Sequence, residues 1–319
     1  MTRFLLRRVL LGALVLWIVT TLVFVLFFVT PNDVARRIAG KQATPDTVAL
    51  VRERLGLGRP ILEQYWSYLD GLAHGNLGYS FYNSEPVTHL LAERVGVTAS
   101  LAVGGLLLCV LLGVAGGLLA ASRPRSATDR AVNGMAMLFY SLPQFLLGVL
   151  LLYVLFYVLA LHGFSIFPPS GYTSLRASPY EWARHLVLPW CALALTGAAS
   201  YARLTRASLL EELGEDYIRA ARARGIGERT LLVRHALRAA LTPSLSQLGV
   251  DLGALLGGVI ILESVFGLPG LGQLALQSLQ QQDLPVIIGT VILASTFVLV
   301  ANIVVDVGYV LLDHRVPLN

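Results

Sequence analysis

Residues able to do chemistry are few in this chain and poorly grouped for it. The six histidines, His74, His89, His162, His185, His235 and His314, are scattered, and the two cysteines, Cys109 and Cys191, each sit inside an apolar run. Neither set has the spacing of a metal site or a redox pair. The cysteines read as small buried hydrophobes and the histidines as packing or interfacial residues. No Gly-x-Ser-x-Gly, His-Glu-x-x-His or Cys-x-x-Cys occurs. A phosphate-cradling loop needs a lysine followed by serine or threonine. The only lysine, Lys41, is followed by Gln42. The chain reads as a non-enzyme with no metal and no cofactor of its own.

Polar groups inside apolar stretches form a second set. Asp251, Glu263 and Asp306 interrupt long runs, and Asn302, Asp306, Tyr309 and Asp313 fall at i, i+4, i+7 and i+11, one face of a helix. That stripe reads first as packing against protein at a membrane boundary and second as a direct transport element. An ion-driven carrier would show several such groups deep in its spans. Here all three acids are placeable near helix ends.

The third set is the segment 211–227. Glu215 and Arg219 stand at i, i+4 with the acid first, the favoured order on an exposed helix. Ala220, Ala221 and Ala223 favour helix and leave room for close approach, Tyr217 and Ile218 offer an apolar contact, and Gly225 can end the helix in a left-handed cap. A second short helix is expected over Glu228–Ala240, ending before Pro243. A helix–glycine–helix projection of this kind can seat in a partner's groove and move as a rigid lever. A merely basic loop is the equal alternative on composition.

The elements that must hold these groups follow from hydropathy. Of 319 residues, 55% are hydrophobic and 13% charged, with mean hydropathy +0.69. The charged share is about half that of an average soluble domain. An ordinary cytosolic enzyme, a disordered chain and a disulfide-stapled secreted domain are excluded. Net charge is +5, yet no basic run is interleaved with aromatic residues, which points to membrane topology and away from nucleic acid.

A hydrocarbon core of about 30 Å needs about 20 helical residues. Six segments meet or approach that: Val9–Val29, Thr98–Ala121, Ala131–Leu161 with Pro143, His185–Ala202 with Pro189, Ser244–Val265, and Pro285–Leu312. Continuous apolar runs without a period of two favour helices over a barrel. The first run is too long for a signal peptide and lacks a small-x-small cleavage site before Thr30-Pro31-Asn32-Asp33.

Fifteen of the 24 basic residues fall on one side if both termini are cytoplasmic, and seven of the other nine lie in the long 30–97 loop, where charge bias is a weak guide. The expected fold is therefore an all-α membrane protein with six spans, N-in and C-in. Its expected parts are a stub and first span (1–29), an external segment (30–97), a core (98–312) containing the cytoplasmic loop 203–243, and a cytoplasmic tail (313–319). Helical spacing is expected in the external segment over Asp46–Leu55 and Ile61–Leu72, on either side of Gly56-Leu57-Gly58-Arg59-Pro60.

Arg219-Ala220-Ala221-x-x-x-Gly225 resembles the Glu-Ala-Ala-x-x-x-Gly loop of bacterial ATP-binding-cassette importer permeases, with Arg in place of the leading Glu. The wider string from Ala202 to Arg238 is similar to the dipeptide/oligopeptide/nickel branch, which commonly lacks that Glu. The likeness covers nearly the whole chain. It includes Arg54-Leu55-Gly56-Leu57, Gly75-Asn76-Leu77-Gly78-Tyr79-Ser80, Ser141-Leu142-Pro143, Pro169-Ser170-Gly171-Tyr172, Glu263-Ser264-Val265-Phe266-Gly267-Leu268-Pro269-Gly270 and Asp306-x-x-Tyr309. Asn32-Asp33 departs from the branch's frequent Gly-Asp-Pro, and Asp251 stands where an uncharged residue is usual.

The resemblance implies a type I importer permease fold and no ATP site on this chain, with ATP and magnesium held by two cytoplasmic ATPase subunits. It also implies a second, homologous permease, an extracytoplasmic substrate-binding protein, and residence in the bacterial inner membrane. The coupling residues it implies are Glu215, Asp216, Tyr217, Ile218, Arg219, Ala220, Ala221, Arg222 and Gly225. Pathway or helix-packing candidates are Ser141, Pro143, Gly249, Gly253, Gly257, Glu263 and Asp306, with Gly113 and Gly117 as a further close-packing pair. Short peptides are the expected substrate, with glutathione or a nickel complex as alternatives within the same type. A stand-alone carrier or channel and a membrane scaffold are the readings from other classes.

Overall fold

The computed structural model describes residues 2–29, 34–39, 43–54, 56–80, 82–164 and 166–312. Helix α1 (Thr2–Phe24) runs on through a wide-turn stretch, Val25–Val29, and is followed by α2 (Val34–Ala39), α3 (Pro45–Arg54) and α4 (Ile61–Ala73). Two short strands, β1 (Tyr79–Ser80) and β2 (Glu85–Pro86), pair antiparallel with Ser80 opposite Glu85. Next come α5 (Val87–Ser122), α6 (Ala127–Tyr140), α7 (Gln144–Leu151) and α8 (Leu159–Leu161), the last two joined by wide turns over Leu152–Val158. Helix α9 (Pro179–Glu212) leads to α10 (Asp216–Ala223), α11 (Glu228–Thr230) and α12 (Leu237–Ala240), with wide turns over Leu231–Ala236. The chain continues with α13 (Thr242–Val265), α14 (Leu271–Gln281) and α15 (Leu284–Leu312).

Five stretches among the described residues are long and apolar enough to cross a membrane: Leu6–Phe28, Val87–Ser122, Gln144–Leu161, Pro179–Glu212 and Leu284–Val305. The remaining expected span coincides with α13, a helix of 24 residues. The side chains of 253–258 lie outside the described set.

Two helix boundaries differ from the hydropathy reading. Helix α5 begins at Val87, well before the charge-free run, because its first turns pack on α14 and α15. The expected third span, Ala131–Leu161, is two helices. Ser141 caps the end of α6, and Pro143, with φ −58° and ψ 138°, stands before the first residue of α7. Proline has no N–H to give the preceding turn and pushes the residue before it out of the helical region. Pro189 is buried within α9, where the helix continues through it.

The chain divides into two compact units: 1–98 with 269–300, and 99–268 with 301–319. In the first, Val87, Leu90 and Leu91 pack against Leu271, Leu274 and Val286, while Ala35, Val51 and Leu284 form a second cluster. The Leu271 N–H donates to Thr98 Oγ1 at 2.8 Å, so a side chain satisfies an end group of α14. In the second unit α5, α9 and α13 meet at Cys109, Ala194, Tyr201 and Leu248. Gly113 and Gly117 permit that approach. A Cβ at Gly113 would overlap Tyr201 Cβ, and one at Gly117 would lie 2.7 Å from the Ala202 carbonyl oxygen. The small-xxx-small pair therefore packs helices within this chain.

Candidate coupling site

The 203–243 segment is built on the last turns of α9. Helix α9 ends at Glu212, a turn through Leu213 and Gly214 redirects the chain, and α10 starts with Glu215 as its N-cap residue. Ile218 is fully buried among Ala121, Leu209, Leu231, Ala236 and Ala240, with Leu213, Ala221 and Ile226 packed beside it. Burying one isoleucine is worth about 1.5–3 kcal/mol. This contact thus ties α10 to the ends of α5 and α9 and to the amphipathic stretch 228–240. The sequence groups Tyr217 and Ile218 as one apolar contact, with no direction assigned to either. The structure turns Ile218 inward as an anchor and leaves Tyr217 45% exposed.

Asp216, Tyr217, Arg219, Ala220, Ala223 and Arg224 are exposed. The expected Glu215–Arg219 pair is replaced by Arg219 Nη2 with Asp216 Oδ1 at 2.6 Å, because Glu215 sits outside the helix at its cap. The Tyr217 hydroxyl donates to Glu212 Oε2 at 2.6 Å. Arg222 donates twice to Glu228, at 2.5 and 3.1 Å, bridging the turn between α10 and α11. That hydrogen-bonded guanidinium holds the Glu228 carboxyl below the usual carboxylate range. Both groups are exposed, so the pair adds orientation more than stability.

Gly225 takes φ +80°, the left-handed cap expected from its position. Its N–H donates to the Arg222 carbonyl at 3.0 Å and the Ile226 N–H to the Ala221 carbonyl at 3.3 Å, the paired bonds of a Schellman ending. Ile226 and Ala221 both pack on the Ile218 cluster, so the glycine turn folds the chain back onto the same apolar anchor.

Hydropathy gave no sign of a buried ion pair that braces this region. Asp129, 4% exposed, accepts from Arg206 Nε at 2.7 Å and Nη2 at 2.8 Å, from the Arg125 N–H at 2.9 Å and from Asn133 Nδ2 at 2.7 Å. Hydrogen bonding from Arg206, then from the Arg125 backbone, lowers its pKa to about 2. Arg125 itself adopts φ +62° to present that N–H. The one local signal was Ser126-x-x-Asp129, a cap pattern in which Ser126 Oγ accepts the Asp129 N–H at 3.2 Å. Nearby, Thr205 and Ser244 hydroxyls meet at 3.3 Å between α9 and α13.

The pathway candidates do not converge in one described cluster. Ser141 is exposed, its hydroxyl turned back onto the Met137 and Leu138 carbonyls, and Pro143 is exposed at the α6–α7 break. A Cβ at Gly249 would lie 3.2 Å from Val305 Cγ1, a tight approach between α13 and α15. Glu263 is fully buried near the C-terminal end of α13. Gly253, Gly257 and the side chain of Asp306 fall outside the described set, as does Asp313.

The first unit carries its own polar joint. Ser80 Oγ donates to Asp283 Oδ2 at 2.5 Å, and the Asn83 backbone N–H and Nδ2 reach Ser80 Oγ at 2.9 and 3.0 Å. Desolvation raises the Asp283 pKa, against the opposing pull of these hydrogen bonds and of the Val286 N–H. A cavity of about 630 Å³ beside it is lined by Gln64, Tyr68, Leu72, Asn76 and Ile288 among others, with no charged side chain.

Among the described residues the chain is a set of long apolar helices that carries a short helix anchored by one buried isoleucine and closed by a left-handed glycine. Residues 113–317 match the model of the binding-protein-dependent transport system inner membrane component, and residues 1–102 match the N-terminal model of the same membrane components. The chain belongs to this family, the inner-membrane permease subunits of ATP-binding-cassette importers, which are not themselves catalytic. It is 37% identical over 313 residues to a probable peptide ABC transporter permease protein of Sinorhizobium fredii, covering 98% of each chain. It is also 37% identical over 305 residues to the glutathione transport system permease protein GsiC of Escherichia coli, covering 94% of each.

Proposed function

We propose that this permease forms half of the translocation pathway of an importer for short peptides, in six spans with both termini in the cytoplasm. A second, homologous permease completes the pathway, two cytoplasmic ATPases drive it, and an extracytoplasmic binding protein delivers substrate. The α10 helix is the single feature that carries the reading. Its exposed face, Tyr217, Arg219, Ala220, Ala223 and Arg224, is available to a partner, while Ile218 and the Gly225 turn lock its other face to α5, α9 and the 228–240 stretch. Displacement of α10 is thereby passed to two long helices as a rigid-body shift. Nucleotide binding to the ATPases then biases an inward–outward equilibrium through its differential affinity for the two states. The names of the peptide-permease relatives support peptides as cargo; a glutathione carrier is the second reading, favoured by the likeness to GsiC.

The test is ATP-driven uptake of a radiolabelled dipeptide into proteoliposomes holding this chain with its permease partner, both ATPases and the binding protein. Uptake should require all components and ATP. Vectorial uptake by this chain alone under an ion gradient would replace the reading with a secondary carrier, and uptake of glutathione in place of dipeptide would select the second cargo.

A further inference from the structure

Helix α4 belongs to the segment that hydropathy places outside the membrane, yet its contacts are with the interior of a membrane span. The Tyr65 hydroxyl lies 2.7 Å from Thr21 Oγ1, and the Tyr65 ring packs on Phe24 with centroids 5.1 Å apart. Tyr68 packs on Phe24 and Phe28 at 5.5 and 5.9 Å. Leu72 joins Tyr68 against Val23 and Ile288. All of these partners are on the span Leu6–Phe28 or the span Leu284–Val305. Thr21 is seven residues from the end of its span, so Tyr65 reaches a depth of about 10 Å at 1.5 Å per helical residue.

The rest of α4 sorts by helical angle into two further strips. Leu62, Trp66 and Ala73 are exposed and Leu69 is half-buried, all four on one side, with Leu62 71% and Trp66 65% accessible. Glu63 and Asp70 occupy the side turned away from both the protein contacts and this apolar strip, while Ser67 lies beside them on the edge that lines the cavity. A helix held alongside a span, with one apolar strip bare and one charged strip, has the pattern of an interfacial helix. A tryptophan between the two strips suits the headgroup boundary. On the first span itself, Leu22, Val25 and Leu26 are likewise exposed.

We infer that α4 is an interfacial helix whose Leu62–Trp66–Ala73 strip is sunk in the lipid leaflet, the outer one in the orientation proposed above, with Glu63 and Asp70 facing water. The external segment therefore contains a membrane-lying helix held beside α1.

The assembled transporter, in vesicles of phosphatidylethanolamine and phosphatidylglycerol, would be irradiated with a lipid-soluble carbene precursor and its labelled peptides sequenced. Label on Leu62 and Trp66 comparable to that on Leu22 and Leu26, unchanged by saturating binding protein, is the expected result. Absence of label on 61–73 with the spans labelled overturns the inference. Label that disappears when the binding protein is added also overturns it, and makes the strip a protein dock. A second measurement avoids dependence on labelling chemistry: nitroxides at Trp66→Cys and Glu63→Cys in a Cys109→Ala, Cys191→Ala chain. The first should relax with oxygen and resist a water-soluble nickel chelate, and the second should do the reverse. Equal access of the chelate to both sites refutes the lipid contact.

Discussion

Two nearly buried carboxylates, one in each unit, are held in opposite ways. Asp129, beside the coupling segment, faces the Arg206 guanidinium, which carries full charge, and its pKa falls to about 2. Asp283, in the first unit, has Ser80, Asn83 and the Val286 N–H as its hydrogen-bond donors among the described residues, and burial pushes its pKa up. At Asp129 the hydrogen-bonded guanidinium sets the sign, and at Asp283 desolvation outweighs its hydrogen bonds. An ionised clip resists separation because pulling it apart strands a charge in a poorly hydrated place, which suits a joint near the helix proposed above to transmit displacement. A joint of neutral donors around a desolvated acid holds position with less resistance. The second unit is thus braced around α10 by charge and one isoleucine anchor, and the first unit by a polar latch over small apolar clusters.

The largest expected break in this contrast is at Gly225. Gly225→Val forces a β-branched side chain into φ +80°, a strain on the order of 1–3 kcal/mol. No atom lies within 4 Å to crowd the new Cβ, so the effect is purely conformational. ATP-driven uptake should be abolished while substrate binding by the external partner protein is unaffected; retained uptake counts against the lever. Asp129→Asn comes next, read by thermal melts of the detergent-solubilised complex. A depressed pKa contributes stability that is present above the ordinary carboxylate range and lost as pH falls through the native value. The wild-type advantage over Asp129→Asn should therefore stay level down to about pH 4 and shrink between about 4 and 2. An advantage that persists at the acid end would remove charge from the explanation.

The smallest effect belongs to the latch. Ser80→Ala, losing a short hydrogen bond to a buried acid, should cost about 1–3 kcal/mol in equilibrium unfolding. The pH dependence there runs the other way. A raised acid pKa gives stability fully present below the ordinary value and lost as pH rises through the native one. Mild acidification should thus strengthen the wild-type latch, and Asp283→Asn should flatten that response. A response of the same sign at both carboxylates would erase the distinction between the two joints.

Long-range order in a lipid-facing chain is written in its composition only where one residue type does one thing. Continuous apolar runs demand helices because backbone groups in hydrocarbon have no other partners. The left-handed cap at Gly225 and the close pair Gly113–Gly117 were likewise legible, since each depends on the absence of a side chain. The break at Pro143 was visible as a proline, but its size was not. Whether a kinked helix or two helices results depends on what packs on either side.

Amphipathic spacing placed a helix at α4 without saying that it lies along α1. A helix carrying three different faces can seat any one of them, and only its partners select which. The same holds at α10, where the hydropathy of Ile218 could not reveal whether it faces in or out until Leu209, Leu231 and Ala240 enclosed it. Asp129 with Arg206 and Ser80 with Asp283 are separated by 77 and 203 residues. The sequence alone thus determined that this chain is a bundle of membrane helices with a glycine-ended projection. Tertiary packing decided which side chains anchor that projection and which carboxylate keeps its charge, because both depend on groups that meet only after the chain has folded.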